Sequence, residues 1–152
     1  MKIADILSRE RVIAELECSG KQDVIREMAA VLPMEKMDLD RVVQVLMDRE
    51  RLGSTGIGDG VAIPHGKLTG LGSLMAVFGR STKGVEFESL DGNPTHLFFL
   101  LVAPEDSAGA HLKALARISR LFKDGQFRKT LMGARDADEL YMALLNEDEK
   151  YG

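Results

Sequence analysis

The chain has 152 residues, 45% hydrophobic and 29% charged, a length that predicts one domain over residues 1–152 with a self-sufficient core and a composition that excludes disorder. Twenty Lys and Arg against 24 Asp and Glu give a formal charge of −4, which speaks against a general nucleic-acid backbone binder. The single cysteine, Cys18, excludes an internal disulfide and a cysteine-based zinc site and fits a reducing, cytoplasmic setting.

Along the chain, Lys2, Asp5, Arg9 and Glu10 interrupt the first ten residues, so no signal-peptide core is expected there. Residues 11–16 alternate polar and apolar and predict a short strand. Residues 23–32 have a helical pattern that Pro33 closes. Asp38 is placed to cap a second helix, in which Leu39, Val42, Val43 and Leu46 fall at i, i+3, i+4 and i+7, a core-facing stripe. Residues 61–63 and 74–78 read as strands, and Asp91-Gly92 as a turn. Residues 97–102 are apolar at every position, as a central strand covered on both faces should be. The strongly apolar run ends at Ala103, far short of the ~18 residues a membrane-spanning helix needs, so no direct membrane insertion is expected. Three helices follow, over 108–122, 125–132 and 136–146. Asp136 with Glu139 resembles a capping box. Strands alternating with helices, with two hairpin-like spacings, predict a three-layer α/β domain: a mixed β-sheet flanked by helices on both faces.

Residues 53–66 hold Gly53, Gly56, Gly58, Gly60 and Gly66, five of the chain's 15 glycines. They form a tight loop whose glycines supply positive φ, or a cradle whose backbone N–H groups approach an anion; the glycines alone do not choose. Neither a P-loop nor a dinucleotide fingerprint is present. His65 sits between Pro64 and Gly66 at a strand end, where a stiff backbone would hold it at a rim. Near neutral pH an imidazole is largely unprotonated and can take a phosphoryl group and pass it on. Most lone histidines are merely packed or solvated. His111, however, shares a helical stripe with Leu115, Ile118 and Phe122, which puts it at the core edge on the first turn. Arg49 extends the stripe of Val42 and Leu46, either as a snorkelling arginine or as a guanidinium aimed at phosphate. Together these residues suggest phosphoryl transfer. Histidines at 65, 96 and 111 make no metal motif, and no cofactor is expected.

The stretch Arg49-x-x-x-Gly53-Ser54-Thr55-Gly56-Ile57-Gly58-Asp59-Gly60-Val61-Ala62-Ile63-Pro64-His65-Gly66-Lys67 resembles the signature of the fructose/mannitol-type enzyme IIA domains of the bacterial phosphoenolpyruvate phosphotransferase system. Phe87-x-x-x-Asp91-Gly92-x-Pro94, the apolar strand and His111-Leu112 match as well. Within that family the chain is most similar to the nitrogen-regulatory type. The resemblance implies that His65 receives phosphate from an HPr-type phosphocarrier, that His111 supports the phosphoryl group, and that Arg49 is the active-site arginine. Thr55 matches a hydroxyl position near the phosphohistidine. Backbone amides of Gly56, Gly58, Gly60 and Gly66 would meet the phosphoryl oxygens. Asp59 stands where the family often has Asn, and an acid there would repel phosphate. His96 matches no functional position. The leading expectation is a phosphoryl-carrying nitrogen or metabolic regulator with protein targets. The second is a transporter subunit passing phosphate to a IIB domain, and the third a binding module without phosphorylation.

Overall fold

The computed structural model describes residues 1–33, 38–107 and 109–151. Its elements are β1 (Val12–Ile13), α1 (Lys21–Ala29), α2 (Leu39–Arg51), β2 (Gly56–Gly58), β3 (Val61–Ala62), β4 (His65–Leu68), β5 (Met75–Val85), β6 (Thr95–Pro104), α3 (Ala110–Leu121), α4 (Gly125–Gly133) and α5 (Ala137–Glu149), with single 3-10 turns at Ile3–Asp5 and Arg9–Arg11. Ala108, where a helix was expected to begin, lies outside the described residues.

The all-apolar run becomes the middle of β6, and its alternation divides the molecule. Leu97, Phe99 and Leu101 pack with Ile118, Leu121, Leu131 and Leu144 of the last three helices. Phe98, Leu100 and Val102 point the other way, against Val24, Ile25 and Met28 of α1 and Val42 and Leu46 of α2. Each fully buried side chain of this size contributes about 1.5–3 kcal/mol, so β6 anchors both cores. The sheet is mixed, as expected: the order is β1-β5-β6-β3-β2, with β4 also on β6. β5 and β6 are antiparallel, whereas β1 on β5, and β3 and β4 on β6, are parallel.

The helix caps behave as their residue types require. Asp38 accepts from Asp40 N–H at 3.0 Å, and Asp136 from Glu139 N–H at 2.9 Å. The reciprocal half of the capping box is displaced by one residue, because the Glu139 carboxylate accepts from Arg135 N–H at 3.0 Å. α1 stops at Ala29, four residues before Pro33, in a tight turn in which Leu32 N–H bonds the Ala29 carbonyl. The first predicted strand shrinks to Val12–Ile13, and β5 runs on to Val85 through an irregularity after Arg80.

Two strands escape the sequence pattern. β2 is Gly-Ile-Gly, and in β4 only Leu68 is buried, so neither shows apolar alternation. β3 and β4 keep the same register along β6 on either side of Ile63 and Pro64, with Ala62 opposite Phe98 and His65 opposite Leu101. They are one strand interrupted where Pro64 lacks an N–H. The Pro64 carbonyl still accepts from Leu101 N–H at 2.9 Å. His65 is therefore the first residue of a strand, β4, rather than the residue that ends one.

Candidate functional site

β4 carries His65, Gly66 and Lys67 along one wall of a cavity of about 500 Å³. α2 supplies Val45 and Arg49, with Leu52 just beyond its end, from one helical layer, and α3 supplies His111 and Leu115 from the other. The cavity thus opens where the two layers meet at β4. α2 lies close because Gly66 has no side chain: a Cβ there would stand 2.9 Å from Val45 Cγ1. A larger groove of about 670 Å³ runs between α4 and α5, but it contains no histidine.

His65 is half-buried, and its Nδ1–H donates to the Ile63 carbonyl at 2.8 Å. A carbonyl can only accept, so the proton sits on Nδ1 and Nε2 keeps its lone pair. Burial lowers the His65 pKa below the ordinary histidine value. The Ile63 bond opposes this, the positive Arg49 adds to it, Glu50 opposes it, and His111 contributes a further lowering. Burial thus favours the neutral ring, whose Nε2 has no hydrogen-bond partner among the described residues, beside the positive charge of Arg49.

His111 is half-buried at the start of α3, and its stripe deepens through Leu115 to the fully buried Ile118. Its Nδ1 lies 3.3 Å from Ser107 Oγ, a side-chain partner rather than a backbone carbonyl. Arg49 spends one guanidinium N–H on the Gly53 carbonyl, 2.9 Å away. That bond satisfies the turn after α2 and leaves the charge at the cavity wall. Lys67, to which the sequence assigned no role, also lines the cavity; its signal was adjacency to His65 two residues along a strand. Such a pocket can hold an anionic electrophile against a neutral nitrogen nucleophile.

The glycine segment divides. Gly66 lines the cavity, whereas Gly56, Gly58 and Gly60 do not. Gly56 N–H donates to Ser54 Oγ, and the Gly60 carbonyl accepts from His96 and Leu97 N–H. Asp59 and Gly60 have φ of 58° and 77°, as the two central residues of a tight hairpin between β2 and β3 require. Their freedom serves the turn, so the cradle formed by these three glycines is corrected to a hairpin. Asp59 is exposed at its tip, where Asn and Asp are both favoured at positive φ, and it does not line the cavity.

Thr55 also departs from the expectation. It is only 4% exposed, and its hydroxyl donates to the Glu50 carboxylate, not to the cavity. Glu50 is itself buried and was missed. Its signal was present, because it continues the stripe of Val43 and Leu46 at i+7 and i+4. His96 bonds the Ser81 carbonyl at 2.9 Å and stays outside the cavity, a structural histidine as expected.

Comparison with known proteins agrees with this fold. Residues 5–147 match the family model described as "Phosphoenolpyruvate-dependent sugar phosphotransferase system, EIIA 2". The chain belongs to this EIIA family and is a phosphotransferase component. It is 43% identical to a nitrogen regulatory protein of Bradyrhizobium diazoefficiens over 95% of each chain. It superposes on the crystal structure of nitrogen regulatory protein IIA-Ntr from Neisseria meningitidis with a TM-score of 0.88 at 34% identity, covering 93% of this chain and 98% of that one. It is also 38% identical to the fructose-specific EIIABC component of Bacillus subtilis, over 99% of this chain but 24% of that protein.

Proposed function

We propose that His65 is the phosphoryl-accepting residue of a cytoplasmic regulator charged by an HPr-type phosphocarrier. The observation that carries this reading is the commitment of His65 Nδ1 to Ile63, in a cavity shared with His111 and Arg49. Nε2 attacks the phosphorus in line. The new N–P bond forms as the bond to the donor imidazole breaks, and that electron pair returns to the donor's ring nitrogen. Because the phosphoryl group arrives already activated, the acceptor needs positioning and charge stabilisation more than acid–base help. Arg49 supplies positive charge. His111, whose Nδ1 lies 3.3 Å from Ser107 Oγ, can present an Nε2–H to a phosphoryl oxygen when Ser107 donates to Nδ1. Leu52, which lines the cavity, and Leu112, which follows His111 in α3, are 84% and 61% exposed and suit a carrier with an apolar docking face.

The regulatory role rests on the similarity to the two nitrogen regulatory proteins. A second reading, the IIA component of a fructose or mannitol transporter with a IIB domain as acceptor, is favoured by the match to the EIIABC component. Incubation with phosphoenolpyruvate, enzyme I and carrier tests the shared step. Intact mass should rise by one phosphate in wild type and not in a folded His65→Ala variant, and labelling of that variant would refute the assignment. A IIB acceptor assay then separates the regulator from the transporter subunit.

A further inference from the structure

A carboxylate with its side chain 2% exposed stands directly after Arg49 in a helix whose buried stripe is otherwise apolar. Burying it is costly, and an apolar side chain of the same volume would often pack there as stably. Stability alone therefore does not account for Glu50; its contacts do. Glu50 Oε1 is 2.9 Å from Lys21 Nζ, an ammonium brought from α1 on a side chain only 12% exposed. Lys21 is seated over the Phe87 ring, 4.8 Å from its centroid. The same carboxylate accepts twice from Thr55, through the N–H at 3.0 Å and through the hydroxyl.

From Thr55 the connection runs through the backbone. The Thr55 carbonyl accepts from Ile63 N–H at 3.0 Å, and the Ile63 carbonyl accepts the His65 Nδ1–H at 2.8 Å. Ile63 is held on one side by Thr55 and followed on the other by Pro64, whose ring restricts the residue before it. The aim of the Ile63 carbonyl is thus set by where Thr55 sits, and Thr55 is fixed by Glu50. We infer that Glu50, anchored by Lys21, is a positioning residue that acts through Thr55 and Ile63 to hold His65 in the tautomer whose Nε2 is free to react. The catalytic consequence rests on reading His65 as the phosphoryl acceptor. The positional consequence does not.

The tautomer is measured in unphosphorylated protein from the nitrogen-15 shifts of His65, at about pH 8, where the ring is neutral. Glu50→Ala and Thr55→Val cut the connection at two links. Each should move the ratio of Nδ1–H to Nε2–H forms about fivefold towards Nε2–H, the effect of losing one ordinary hydrogen bond, and slow phosphate uptake by a similar factor. Glu88→Gln removes only the exposed second partner of Lys21, at 3.3 Å, and should leave the ratio unchanged. Should Glu50→Ala fail to fold, Thr55→Val decides. A wild-type ratio in either folded variant overturns the role and leaves Glu50 a stabilising residue. A shifted ratio alongside a wild-type protein that takes no phosphate would uphold the positioning role and overturn the phosphoryl-acceptor reading instead.

Discussion

Gly66→Ala tests whether the missing side chain at this position is what lets α2 and β4 form the cavity. The added methyl would lie 2.9 Å from Val45 Cγ1 and 3.5 Å from Leu46 Cδ2. Carbon atoms prefer separations of about 3.5–4.0 Å, so only the first contact is a clash, and it must open by at least ~0.6 Å. Val45 is β-branched and on a helix, with one strongly preferred rotamer, so it cannot swing aside cheaply. Either it leaves that rotamer or α2 lifts from β4. Overpacking of this kind costs about 1–3 kcal/mol. With a shift of about 2–4 °C per kcal/mol for a chain of this size, a mid-range cost lowers Tm by about 4–8 °C. Lifting α2 also moves Arg49 away from His65, and displacements near 1 Å can cost up to about a hundredfold in rate; a tenfold slower phosphate uptake is expected. Thermal unfolding followed by circular dichroism and intact-mass kinetics read the two effects. Val45→Ala, placed in the Gly66→Ala background, should restore part of both, with a coupling of at least about 1 kcal/mol. Strict additivity of the two substitutions would refute the reasoning.

The remaining predictions concern the two histidines. His111→Ala should still be phosphorylated on His65 but should pass phosphate onward more slowly, by about a hundredfold or less, since the lost donor is only partly shielded from water. Peptide mapping that puts phosphate on His111 in wild type would reverse the two roles. Because burial holds the His65 pKa below its free value, the Cε1–H resonance of His65 should titrate with a midpoint below about 6.5. The sign for stability follows. The unfolded chain binds this proton first, so stability rises with pH across the interval and its contribution is complete above about 6.5. On acidification from pH 7, the part lost through His65 should be absent in His65→Ala, as urea unfolding at a series of pH values would reveal.

What could be read from the sequence was whatever depends on near neighbours along the chain. Helical spacing placed Val42, Val43 and Leu46 inside α2 and put Ile118 and Phe122 behind His111, because a side chain's face follows from 3.6 residues per turn whatever it packs against. The unbroken apolar run of β6 required cover on both sides, and both cores formed there. Asp38 and Asp136 capped helices because the first amides of a helix need an acceptor close in sequence. The same stripes, with the block around His65, were enough to single out Arg49, His65 and His111.

Tertiary structure alone determined how the polar groups were spent. Whether the amides of Gly56, Gly58 and Gly60 face an anion or serve a hairpin depends on β3 and β6, which the glycine spacing does not encode. Thr55 turned inward because Glu50, five residues earlier, found its counter-charge on Lys21 in a different helix. The proton of the neutral His65 ring was placed on Nδ1 by the Ile63 carbonyl, and Ile63 is itself bonded to Thr55 across a turn. Hydrogen bonds and ion pairs join groups by distance in space, not by separation along the chain. Residue type therefore announces that a partner is needed, and the folded chain determines which one it gets.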